Sequence, residues 1–128
     1  MAEVVVLDAS ALVAAFRREA GSEAVARVIP GAAMNAVNVA EALIVLDRHG
    51  VPLEAAAGEI ELLGLRVVPA DADLAPAIAR MSAATRRAGL SLGDCVCLAT
   101  AKSLHASVLT ADRAWGRLKV GVPITVLR

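Results

Sequence analysis

The stretch Leu90-Ser91-Leu92-Gly93-Asp94-Cys95-Val96-Cys97-Leu98-Ala99-Thr100-Ala101 constrains this chain more than any other. Read as a helix opening at Ser91, it is apolar on nearly every side from Cys95 to Ala101, and a helix apolar all round is a buried one. The rest of the chain must therefore wrap around it. Its single carboxylate, Asp94, follows Ser91 by three residues, the spacing of a capping box in which a hydroxyl and an acid each satisfy an orphan backbone N–H. Capping alone accounts for Asp94. The alternative is a charge held in the first turn of a central helix for a metal ion, which requires other carboxylates to converge on it.

The flanking sequence alternates short apolar runs with helical stretches. A strand over Glu3–Leu7 is rich in β-branched residues, as strands buried on both faces are, and it ends in Asp8. Ser10 leads a helix through Phe16 to the basic pair Arg17-Arg18, and Ser22 to Val28 reads as a second helix stopped by Pro30-Gly31. Residues Ala32 to Val37 form a weak strand candidate. Asn38 is then expected to cap a helix over Val39–His49, with Glu41 at its third position. Gly50 ends that helix, and a further one runs from Leu53 to Leu63. Leu65 to Val68 is a strand, after which Asp71 or Asp73 caps a long helix reaching Ala88, with Pro76 tolerated in the first turn. Beyond the central helix come a strand at Ser107-Val108-Leu109, then Thr110-Ala111-Asp112, a brief helix with Arg113, Trp115 and Arg117, and a last strand from Ile124 to Leu127. Strands alternating with helices over short connections argue a parallel-sheet α/β domain with helices on both faces.

Composition removes several classes of function. The 128 residues suit one domain, and although 58% are hydrophobic, no charge-free run of about 18 apolar residues supports a membrane span. Met1-Ala2-Glu3 leads straight into the first strand without the basic region of a signal peptide, so a cytoplasmic location is expected. Cys95 and Cys97 diverge on a helix that turns about 100° per residue; they read as small buried hydrophobes. His49 and His105 are not spaced for zinc. Net charge is zero, which gives no global attraction to nucleic acid, so any such binding must be local. With Phe16 and Trp115 as the only aromatics, platforms for stacking bases are absent.

Four acids fall on one predicted rim. In open parallel sheets ligands bind beyond the carboxyl ends of the strands, where Asp8 and Asp112 follow strands and Glu41 and Asp94 open helices. Four carboxylates crowded together repel, and two divalent cations would balance their charge. Oxygen-only ligands select Mg²⁺ or Mn²⁺ over zinc. Such a site can polarise a phosphodiester and activate water for in-line attack with no protein nucleophile. Ser10, Asn38 and Thr110 are placed to orient the acids. Any one of the four is explained as well by the helix dipole; the joint pattern is what favours a site.

These residues match known motifs. Leu7-Asp8-Ala9-Ser10-Ala11-Leu12, Asn38-Val39-Ala40-Glu41-Ala42-Leu43, Leu90-Ser91-Leu92-Gly93-Asp94 with Leu98-Ala99-Thr100-Ala101, and Leu109-Thr110-Ala111-Asp112-Arg113-Ala114-Trp115 resemble, in order, the motifs of PIN-domain ribonucleases. In size the chain resembles the VapC toxins of type II toxin-antitoxin pairs. The resemblance covers nearly the whole chain and implies a single PIN domain over residues 1–128: a PIN-like three-layer α/β fold with a central, mostly parallel sheet flanked by helices. It further implies that Asp8, Glu41, Asp94 and Asp112 are catalytic and bind Mg²⁺ or Mn²⁺, with Ser10 and Thr110 as polar support. The implied activity is endonucleolytic cleavage of RNA, often tRNA or rRNA, leaving a 5′-phosphate and a 3′-hydroxyl. The implied partners are a VapB-type antitoxin and a second copy in a homodimer. Asn38 departs from the family pattern, standing where many relatives carry a small hydroxyl residue.

Arg17, Arg86 and Arg113 flank the predicted rim in sequence and could hold RNA phosphates, although each also suits a solvated helix face. Trp115 is expected to pack the last helix onto the sheet. The alternatives to a ribonuclease are a non-catalytic PIN-like module that binds RNA or a partner, and a DNA-directed nuclease. A phosphorylated receiver domain is disfavoured, because Asp8 has no acidic neighbour and Asp47 lies within a helix.

Overall fold

The computed structural model describes residues 4–127. Five short strands alternate with six helices: β1 (Val5–Leu7), α1 (Ala9–Phe16), α2 (Ser22–Val28), β2 (Ala33–Asn35), α3 (Ala36–Arg48), α4 (Leu53–Leu62), β3 (Arg66–Val68), α5 (Ala75–Ala84), α6 (Leu92–Ser103), β4 (Ser107–Thr110) and β5 (Ile124–Val126), with 3₁₀ turns at Arg86–Ala88 and Arg113–Arg117. The expected start of the first strand at Glu3 lies outside the described residues. Strand order is β3-β2-β1-β4-β5, and every adjacent pair is parallel.

Alternation along each strand divides the interior into two cores, because successive side chains of a strand point to opposite faces. Val6, Ala33 and Val108 face the core that holds Met81 of α5 and Cys95, Cys97 and Leu98 of α6. Leu7, Met34 and Leu109 face the opposite core, shared with Leu12, Val25, Ala42, Leu46 and Ile60 of the first four helices. Helices therefore cover both faces, and a parallel sheet needs that cover. As the sequence demands, Gly93 and every residue from Cys95 to Ala101 of α6 are buried. Trp115 is buried too and belongs to the α6 core. Among the described residues no helix is long and apolar enough to cross a membrane.

Two expected helix boundaries are displaced, each for a local reason. Asn38 does not cap α3. Asn35 does: its backbone is extended and its side chain accepts a hydrogen bond from Val37 N–H, so the helix starts three residues early and Asn38 falls inside its first turn. The segment Asn35-Ala36-Val37-Asn38 offers two good caps, and the one at the strand's end wins because its amide also reaches Thr100 Oγ1 of α6 at 3.0 Å. The long helix expected from Asp71 or Asp73 to Ala88 is instead α5 followed by the 3₁₀ turn. Asp71 Oδ1 accepts from Leu74 N–H, one turn before the helix, and the helix closes where Thr85 Oγ1 donates back to the Met81 carbonyl, a competing bond that bends or ends helices.

Asn35 thus ties a strand end, a helix start and the central helix together. Replacing it with alanine removes a cap and a buried hydrogen bond, and Asn35→Ala is expected to lose about 2–3 kcal/mol, measurable as a lower urea midpoint with an unchanged slope.

Candidate active site

Because all five strands run the same way, their carboxyl ends form one rim, and the helices that follow begin there. Asp8 directly follows β1 and caps α1, its side chain accepting from Ala11 N–H. Glu41 lies one turn into α3. Asp94 completes the capping box of α6 with Ser91, and Asp112 caps the 3₁₀ turn after β4, accepting from Ala114 N–H. Three of the four acids therefore do serve as caps. All four also line one pocket of about 370 Å³, together with Ser10, Asn38, Gly93 and Cys97.

Asp8 is the most tightly held. Thr110 Oγ1 donates to Asp8 Oδ2 at 2.6 Å, and Ser10 Oγ lies 2.7 Å and 2.9 Å from the two carboxylate oxygens. Each hydroxyl is oriented in turn, since Asp112 N–H donates to Thr110 Oγ1 and Ala111 N–H to Ser10 Oγ. The Asp8 carboxylate is only 6% exposed. Burial raises its pKa above the usual carboxylate value, the Thr110, Ser10 and Ala11 hydrogen bonds oppose that rise, and the charge of Asp94 adds to it. Beneath the acids, burial pushes the Cys97 thiol well above its ordinary pKa, helped by the charges of Asp8, Asp94 and Glu41. Cys97 and Cys95 are both free and buried.

Glu41 is positioned from two sides. The Asn38 amide, itself 1% exposed, donates to Glu41 Oε1 at 2.8 Å and to the Gly93 carbonyl at 3.0 Å, linking α3 to the first turn of α6. A Cβ on residue 93 would fall on the Glu41 carboxylate. Only glycine leaves that space, and the sequence reading passed over it. A glycine in the first turn of a buried helix, beside an acid and at a cost in helix propensity, is the signal that marks such a close approach. Asn38 Oδ1 is buried without a hydrogen-bond partner, which leaves a free acceptor next to the acids.

The donor set fits a hard divalent cation, being carboxylate oxygens plus a spare amide oxygen. Among the described residues, however, no three His, Cys, Asp or Glu side chains are gathered closely enough to hold an ion as they stand. Each acid is held at its own helix start rather than drawn to a common point, and mutual repulsion opposes closer approach. The arginines singled out from sequence do not join this pocket. Arg17 is outside the lining but pairs at 3.7 Å with Glu19, a further acid that lines the pocket, Arg113 is exposed at the start of its 3₁₀ turn, and Arg86 lines a different depression.

Residues 5–121 match the PIN domain family model. The chain belongs to the PIN domain family. The same architecture occurs in a toxin-antitoxin complex from Klebsiella pneumoniae, at 15% identity and a TM-score of 0.75 over 97% of this chain and 98% of that one. It occurs also in DNA-bound VapBC from Salmonella typhimurium, at 17% identity and a TM-score of 0.74 over 99% and 100% of the two chains. VapBC-1 from nontypeable Haemophilus influenzae is similar at 19% identity and a TM-score of 0.71, covering 97% and 98%. No curated protein matches the chain by sequence. PIN domains are in general nucleases, and an acid-lined pocket at the sheet rim is consistent with hydrolysis.

Two substitutions test this arrangement. The raised Asp8 pKa means that the folded state holds this proton more tightly than the unfolded chain, so its ionised form costs stability above the folded pKa and that cost fades as pH falls toward the usual carboxylate range. Asp8→Asn removes that charge and also one acceptor oxygen for the Ser10 and Thr110 hydroxyls, so the prediction lies in the pH dependence: its Tm relative to wild type should be higher at pH 7 than in acid, which calorimetry across pH reads. Gly93→Ala should fold with stability within about 1 kcal/mol of wild type, since alanine is the better helix former and the Glu41 side chain can swing aside. Added Mn²⁺ is expected to raise the Tm of the wild-type chain, and the displaced carboxylate should weaken that rise.

Proposed function

We infer that this PIN domain, spanning residues 1–128, is a metal-dependent endoribonuclease acting as the toxin of a VapBC-type toxin-antitoxin pair. The observation that carries the reading is the pocket shared by Asp8, Glu41, Asp94 and Asp112, into which no Lys or Arg enters among the described residues. Four carboxylates without a basic partner need positive charge from elsewhere. Mg²⁺ or Mn²⁺, held by these four, would supply it, polarising a phosphoryl oxygen and activating water.

The chain's own residues supply the positioning. Ser10 and Thr110 fix both oxygens of Asp8, and Asn38 fixes Glu41 against Gly93. Asp94 and Asp112 are more accessible than Asp8. A water attacking phosphorus forms a P–O bond as the P–O3′ bond breaks, leaving a 5′-phosphate and a 3′-hydroxyl. The water's proton passes to a pocket carboxylate, and the departing 3′ oxygen takes one from solvent. Transfer or ribosomal RNA is the substrate class the family resemblance suggests.

The toxin role draws on the matching complexes, whose chains this one covers almost end to end. An antitoxin and a second copy both require apolar docking surface. Ile44, Leu53, Leu62 and Val67 are exposed, and Val39, Leu43, Ile60, Leu65 and Val67 line a groove of about 380 Å³ between α3, α4 and β3. Such a toxin would act in the cytoplasm, where its RNA targets are.

Induced expression of the wild-type chain should arrest growth and produce discrete RNA fragments, and Asp94→Asn should abolish both while remaining folded. In vitro, EDTA should stop cleavage and Mn²⁺ restore it, with Asp94→Asn reducing the rate on the order of 10²-fold or more. Arrest by both variants, or RNA cleavage that survives EDTA, would overturn the reading.

A further inference from the structure

Charge is segregated along this chain although it sums to zero. Beyond Asp73 the only acids are Asp94 and Asp112, both of the carboxylate pocket, whereas eight of the 13 Lys and Arg residues lie there. The fold gathers most of them on one face. A depression of about 380 Å³ is lined by Arg86, Arg87, Arg117 and Lys119, and an adjoining one of about 260 Å³ by Arg80 and Lys102. The two share Ala84 and Val120, so they form one groove between α5, α6 and the segment that follows the second 3₁₀ turn. All six basic residues are exposed. No acid lines either depression, and among the described residues none of the six forms an ion pair.

We propose that this groove holds the phosphodiester backbone of single-stranded RNA and leads it to the carboxylate pocket. The choice of ligand rests on the nuclease reading above. Three features select it. Unbalanced like charges along a groove are satisfied by a polyanion, whose affinity comes from counterion release and needs no base contact. The lining has no aromatic side chain, so bases have no ring to stack on, and its larger apolar members, Met81, Leu118 and Val120, are buried or half-buried, so an acidic peptide finds no exposed large apolar side chain to anchor on. The groove is also joined to the catalytic rim at both walls. The 3₁₀ turn of Arg86–Ala88 runs through Gly89 and Leu90 into the Ser91 cap beside Asp94, and the 3₁₀ turn capped by Asp112 ends at Arg117. Arg86, suggested by the sequence as a phosphate contact, acts on this account from the groove and not from the pocket.

The test measures binding apart from cleavage, in an Asp94→Asn background. A labelled single-stranded RNA of about 20 nucleotides, longer than one such groove would cover, is titrated by fluorescence anisotropy. Combined Arg86→Ala, Arg87→Ala and Arg117→Ala should weaken binding at least about 10-fold at low salt and lower the slope of log K against log salt by about 2, near 0.7 for each lost phosphate contact on a single strand. Combined Arg27→Ala, Arg48→Ala and Arg66→Ala makes the same change in net charge elsewhere and should leave both nearly unchanged. Equal loss in the two variants, or none in the first, overturns the proposal. So does binding of labelled polyglutamate where the RNA shows none, or tighter binding of duplex DNA through the same arginines. If wild type cleaves no RNA yet the binding pattern holds, the groove stands and the nuclease reading falls; cleavage with unaltered binding in the groove variant gives the reverse.

Discussion

The buried carboxylate of Asp8 is the constraint around which the rest of the structure is arranged. A carboxylate with so little solvent must be matched by donors, and the donors come from two elements: Ala11 N–H and Ser10 Oγ from the first turn of α1, and Thr110 Oγ1 from the end of β4. Satisfying one side chain therefore sets how β1, α1 and β4 meet. The burial that raises its pKa also keeps it among neighbours that hold it still. Structural and chemical demands fall on the same atoms, which explains how Asp8 can be a helix cap and a member of the acidic pocket at once.

The same economy recurs around the rim. Asp94 and Asp112 each close a turn through a backbone N–H while presenting charge to the pocket. Glu41 differs, being held by a side chain rather than by a cap, with Asn38 reaching across to the Gly93 carbonyl. Asn38 thus couples α3 to the first turn of α6. Its amide supplies two donors where a hydroxyl has one, and both are used, one on Glu41 and one on the Gly93 carbonyl. The acids are spaced by these separate anchors, so the pocket is a set of independently held carboxylates facing a shared space.

Charge on the outside is organised as the pocket is inside. The acidic pocket has no Lys or Arg in its lining, and the groove between α5, α6 and the chain after Asp112 has no acid in its own. A zero net charge conceals this, because the acids are concentrated before Asp73 and the bases after it. A polyanion drawn to one region and held at the other needs both, and the parallel sheet supplies the frame that keeps them adjacent.

Much of this was legible in the residues themselves. The all-round apolar character of residues 95–101 determined that α6 is buried, and the Ser91–Asp94 spacing determined its cap, because both depend on period and local hydrogen bonding. Strand-helix alternation determined a parallel α/β sheet, and with it the rim on which Asp8, Glu41, Asp94 and Asp112 fall. What only the tertiary structure decided were matters settled by contacts between distant segments. Asn35 rather than Asn38 caps α3 because Thr100 is there to receive its amide. Gly93 leaves room for the carboxylate of Glu41, fifty-two residues earlier, which lies where a side chain at 93 would be. Arg86, Arg87, Arg117 and Lys119 become one surface because α5 and the chain after Asp112 are brought side by side, a proximity that no local rule of sequence encodes.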